Sequence, residues 1–127
     1  MSIGEKEPKN ILVVEDEKPY ARALVLKLEH EGFQAKNAGN GEEALSFLVE
    51  EKFDLVLLDL VMPKMNGFVF LEEIKKRGIR IPILVLSNLA QTEDKEKVKA
   101  FGVEDFFEKA NTPIIDIINK VKETLQK

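Results

Sequence analysis

Cysteine is absent from this chain of 127 residues, which excludes disulfides and thiolate metal sites outright. Histidine is nearly so. The single His30 cannot by itself build a zinc site or a Ser-His-Asp triad, and it falls in the last turn of a predicted helix, where a cation suits the helix dipole. No signal-peptide pattern and no apolar run of membrane-spanning length occurs, so the expectation is a soluble, cytoplasmic protein. Lys and Arg number 19 against 23 Asp and Glu, a formal net charge of −4 that leaves no surplus for generic nucleic-acid binding. Internal repeats and low-complexity segments are missing too. What remains is 44% hydrophobic and 33% charged residues, enough for one domain with a real core and a wet surface.

Residues 1–9 are polar, with Gly4 and Pro8, and read as a loose tail ahead of a domain over 10–127. Short apolar runs then alternate with amphipathic stretches. Strands are predicted over 10–14, 33–37, 55–58, 81–86 and 105–107. Helices are predicted over 18–31, 41–51, 67–77, 92–101 and 113–125, the first and third stopped by Gly32 and Gly78. Pro82 sits at the beginning of strand four, where a missing N–H is tolerated. Asn111 or Thr112 can cap helix five, with Pro113 at its first position. Helix four has only Val98 as a large apolar residue before Lys99, so it should be the most easily displaced element. Five βα units in a row imply an α/β fold, a parallel sheet with right-handed crossovers and helices on both faces.

Polar residues end four of these strands. Glu15 and Asp16 follow Ile11-Leu12-Val13-Val14, Asp59 follows Leu55-Val56-Leu57-Leu58, Ser87 ends Ile83-Leu84-Val85-Leu86, and Lys109 follows Phe106-Phe107. Each has a duller explanation alone: a helix cap for Asp16, a solvated acid for Glu15, a loop-binding acid for Asp59, a turn for Ser87, a surface lysine for Lys109. Together they share the carboxyl edge of one parallel sheet, where open α/β sheets place their chemistry. Three clustered carboxylates repel unless a cation lies among them, and hard oxygen donors suit magnesium. An Asp carboxylate can attack phosphorus, and phosphoryl transfer asks mainly for alignment and cancellation of charge.

The ordered set ILVVEDE, DLVLLDLVMPKMNG, PILVLSN and DFFEK resembles the receiver domain of two-component response regulators, from about Lys9 to the end of helix five. The resemblance implies a (βα)5 doubly wound five-stranded sheet of order 2-1-3-4-5, the flavodoxin-like arrangement. It implies metal acids at Glu15 and Asp16, a phosphoacceptor at Asp59, a metal-binding backbone carbonyl at Val61, a switch hydroxyl at Ser87 and a conserved-type lysine at Lys109. The cofactor implied is Mg2+ or Mn2+. The rotating aromatic of the family falls on Phe106, which has no hydroxyl. Two departures stand out. Glu15 is longer than the usual Asp and should reach a metal through water. Ala110 replaces the usual Pro after the lysine, so a cis bond there would cost about 2.5–4 kcal/mol.

The function implied is that of a stand-alone response regulator. It accepts a phosphoryl group on Asp59 from a sensor histidine kinase or phosphotransfer protein and relays the charge change through Ser87, helix four and Phe106. It is expected to be a signalling phosphoacceptor rather than an enzyme with a separate substrate, with an effector protein docking on the helix four–strand five–helix five face and no nucleic acid or membrane as direct partner. Val61 and Leu89 flank the approach of hydrolytic water in such domains, and neither can orient one, so slow loss of the phosphoryl group is expected. One rival is an unphosphorylated pseudo-receiver acting as an interaction module. The other, a phosphatase of the haloacid dehalogenase type, needs a second Asp where Val61 stands.

Overall fold

The computed structural model describes residues 7–62, 64–88 and 92–126, with 92–94 described by backbone alone. Five strands and five helices alternate: β1 (Asn10–Val14), α1 (Lys18–His30), β2 (Gln34–Ala38), α2 (Gly41–Glu50), β3 (Leu55–Leu58), α3 (Gly67–Lys76), β4 (Ile83–Ser87), α4 (Thr92–Lys99), β5 (Asp105–Glu108) and α5 (Ile114–Leu125). A 3-10 turn, Lys109–Asn111, joins β5 to α5. The strands form one parallel sheet in the order β2-β1-β3-β4-β5, the doubly wound flavodoxin-like arrangement expected. Val14 pairs with Ala38 and Leu58, and Ser87 with Glu108, so the carboxyl ends lie along one edge.

The unbroken apolar strands follow from having helices on both faces. Leu12, Val14, Val56, Leu58 and Val85 pack with Ala44, Phe70, Leu71 and Val98 on one side. Ile11, Val13, Leu55, Leu57 and Leu84 meet Ala21, Leu24, Leu28, Ile117 and Val121 on the other. Every residue of β1 after Asn10, and all of β3 and β4, is buried.

Several element ends differ from expectation, for local reasons. The fourth strand starts at Ile83; Pro82 precedes it and contributes only its carbonyl, which accepts from the Val56 N–H at 3.0 Å. Helix α5 starts at Ile114 because Pro113 keeps an extended ψ of 145°. Neither Asn111 nor Thr112 caps it; the Thr112 hydroxyl turns back and donates to the Glu108 carbonyl at 2.8 Å. Nor does Asp16 cap α1: the N-cap is Glu17, without a side-chain cap. Gly32, at φ 95°, ends α1 by a left-handed turn open to glycine alone at low cost. Among the described residues no helix is long and apolar enough to cross a membrane.

Candidate phosphoacceptor site

The turn after β1 brings Glu15, Asp16 and Glu17 to the carboxyl edge. Glu15 is buried, 2% exposed, while Asp16 and Glu17 face solvent. Two sets of hydrogen bonds hold this turn. The Glu15 N–H continues the ladder to the Ala38 carbonyl at 2.9 Å. The Asn37 carboxamide then donates to the carbonyls of Val13 (2.9 Å), Glu15 (3.1 Å) and Ala38 (3.1 Å), stitching β1 to β2 where the strands end.

Asp59 leaves β3 at 5% exposure, its N–H on the Val14 carbonyl and its Oδ1 accepting the Val61 N–H at 3.1 Å. The loop that follows is pressed back onto the site. The Gly67 N–H donates to the Leu60 carbonyl, and a side chain at 67 would bring its Cβ within 2.6 Å of the Leu60 Cα. Only glycine allows so close a return. Ser87, fully buried, closes β4.

Lys109 reaches all of this from the turn after β5. Its ammonium lies 2.7 Å from Glu15 Oε1, 2.6 Å from Glu17 Oε1 and 3.4 Å from Asp59 Oδ2. The Tyr20 ring lies beside it, with the centroid 4.6 Å away. Burial opposes the charge on Lys109, but its hydrogen bonds to Glu15 and Glu17 prevail and hold its pKa above the usual lysine range. Burial pushes the Glu15 carboxyl up to about 7, against the pull of Lys109 and the Glu17 N–H. Burial raises the Asp59 carboxyl as well, opposed by the Val61 N–H and Lys109 and aided by Asp16.

The structure therefore gathers Glu15, Asp59, Ser87 and Lys109 at one buried edge. Asp16, Val61 and Asn88 join Glu17, Asp59 and Lys109 in lining an open cleft above it. Phe106 stands in β5, half-buried against the α3–α4 side of the core, with the Lys95 ammonium 5.7 Å from its ring centroid. Leu89 lies outside the described residues. No described peptide bond is cis, so the Lys109–Ala110 bond is trans. Three further residues contribute to the site. Glu17 was visible as the third acid of the EDE run. Asn37 and Asn88 carry no pattern that marks them.

Carboxylate oxygens of Glu15, Glu17 and Asp59 lie within 4.8 Å of one another, with Asp16 at the rim of the same cleft. Such an all-oxygen donor set fits a hard divalent cation and offers nothing to a soft one. Glu15 has both oxygens engaged, Oε2 by the Glu17 N–H and Oε1 by Lys109. Direct ligation by Glu15 would require Lys109 to let go.

The profile of the response regulator receiver domain family matches residues 11–122. The transcriptional regulatory protein DltR of Streptococcus agalactiae is 35% identical over 99 residues, covering 78% of this chain and 44% of DltR. The chain thus spans less than half the length of that relative. A Francisella response regulator receiver domain is similar in structure at a TM-score of 0.87 and 29% identity, covering 93% of this chain and 97% of that one. The response regulator protein TrrA of Thermotoga maritima, solved in complex with Mg2+–BeF, is 30% identical with a TM-score of 0.78, covering 91% of this chain and 97% of TrrA.

Proposed function

The chain belongs to the response regulator receiver domain family, and from that footing we propose that it takes a phosphoryl group onto Asp59 and answers with a change of shape. The donor is the phosphohistidine of a sensor histidine kinase or phosphotransfer protein, met in the cytoplasm. The observation that carries this reading is one buried ammonium, Lys109, set between Glu15 and Asp59 at the carboxyl edge of the sheet.

The geometry supports the following step. A carboxylate oxygen of Asp59 attacks phosphorus; the P–N bond breaks, and the departing imidazole keeps the electron pair and takes up a proton. The product is an acyl phosphate. Attack requires the ionised carboxylate; burial raises the Asp59 carboxyl, and the Val61 N–H and Lys109 oppose that rise and favour the charged form. Glu15, Asp16 and Asp59, with the Val61 carbonyl, would hold Mg2+ or Mn2+, which when bound supplies positive charge against the phosphoryl oxygens. Lys109, released from Glu15, pairs with a second phosphoryl oxygen, and the Ser87 hydroxyl donates to the third. Phosphorylation adds about −1.5 to −2 charges at pH 7. That charge draws Ser87 inward and shifts Phe106 and α4, altering the α4–β5–α5 face that an effector protein reads.

Incubation with acetyl phosphate should add one phosphoryl mass in the presence of Mg2+ and not in its absence. The adduct should be lost in base or hydroxylamine. A protein that never gains this mass would be an interaction module with a receiver fold, and the proposal would fail.

A further inference from the structure

We propose that Asn88 is a positioning residue for Lys109, acting through the backbone of Ala110. Asn88 directly follows the switch hydroxyl Ser87, and Ala110 directly follows the lysine. The β4–β5 ladder ends with Ser87 paired to Glu108. One residue beyond, Asn88 Oδ1 accepts the Ala110 N–H at 2.8 Å, so a side chain carries the link past the point where strand pairing stops. The donor exists because residue 110 is not proline; proline, the usual residue there in the family that this chain resembles, has no N–H to give.

Ala110 lies in the 3-10 turn Lys109–Asn111, whose first N–H groups have no partners within the turn. Asn88 supplies one from across the cleft. The consequence falls on the neighbouring residue. Lys109 is buried and reaches three carboxylates at once, so a small swing of its backbone moves the ammonium away from all of them. Asn88 itself lines the cleft beside Asp59 and Lys109. A displacement of Ser87 and Asn88 would thereby reach the lysine through one hydrogen bond.

The inference rests on Asp59 being the phosphoacceptor, and the experiment separates the two. Rates of labelling by acetyl phosphate with Mg2+ are measured for the wild type, Asn88→Ala, Ala110→Pro and the double variant. Amide exchange at Ala110 is followed in Asn88→Ala. Loss of one hydrogen bond predicts labelling slowed roughly 3–10-fold by either single change. The double variant should be no slower than the slower single one, because both remove the same bond, and the Ala110 amide should exchange faster in Asn88→Ala. The same cycle with Lys109→Ala should show no added cost of Asn88→Ala, because the side chain it positions is gone. Wild-type labelling rates in Asn88→Ala, or a loss that persists undiminished in both backgrounds, would overturn the role of Asn88 while leaving Asp59 in place. A wild type that never labels would remove the phosphoacceptor and this inference together.

Discussion

Lys109 carries its charge at 9% exposure, where desolvation alone would favour the neutral amine. The acids around it reverse that preference, and they are themselves uncomfortable. Replacing buried ion pairs with apolar side chains is often neutral or stabilising, so this cluster is weak evidence of a device for stability and fits one kept for chemistry. Glu15 shows the cost most clearly. Its carboxyl is raised from an ordinary 4.5 to about 7 by burial, so the folded protein binds this proton more tightly than the unfolded chain. Its contribution to stability therefore falls as pH rises from about 4.5 to about 7 and stays flat above. Glu15→Gln should be more stable than the wild type at pH 8 by roughly 1–3 kcal/mol, with the gap closing toward pH 4.5. Denaturant melts across that range check it; a gap that widens in acid contradicts the assignment. Glu17 belongs to the same cluster. Its neighbours in the EDE run account for two of the acids, but only the fold of the turn shows that the third also reaches Lys109.

Helix α4 has little to hold it. Of its described side chains only Val98 is buried, while Lys97 and Lys99 crowd its last turn. Val98→Ala should lower stability by roughly 1–3 kcal/mol and speed amide exchange in α4 more than in α1, which buries Ala21, Leu24 and Leu28. Equal acceleration throughout would show that α4 opens only with the whole fold. Ser87→Ala tests the element upstream of it. The hydroxyl does not attack phosphorus, so labelling at Asp59 should persist, while the chemical-shift response from residue 87 to Phe106 should largely vanish. A full shift pattern in that variant contradicts the relay. The weakness of α4 was legible in the sequence, since one apolar anchor among Lys95, Glu96 and Lys97 leaves no buried stripe. So were the strands, because runs apolar at every position need cover on both faces. The helix starts were not. Pro113 fits either the N-cap or the first helical position by type, and its ψ decides which. The bonds of Asn37 and Asn88 were illegible for another reason: they join segments distant in sequence by single carboxamides, and no spacing announces such a contact.

Taken as one molecule, the chain is a sheet whose five strands all deliver their carboxyl ends to the same edge. Burial on both faces fixes the strands, and the polar residues just beyond them acquire positions accurate enough for charge to cancel across the cleft. The formal net charge of −4 is spread over a surface on which Lys36–Glu51, Lys122–Glu31 and Arg77–Glu73 pair groups that are mostly half-buried and still reached by solvent, contacts that contribute little individually. The distinctive electrostatics lie at the edge, around Asp59. The most direct measurement is chemical trapping of the acyl phosphate: protein incubated with acetyl phosphate and Mg2+ is reduced with borohydride, which converts a phosphorylated aspartate to homoserine, and the modified residue is located by peptide mass spectrometry. Homoserine is expected at position 59 alone, with none in Asp59→Asn. Homoserine at Asp16 or any other aspartate, or an unmodified Asp59 in protein that has gained the phosphoryl mass, would contradict it.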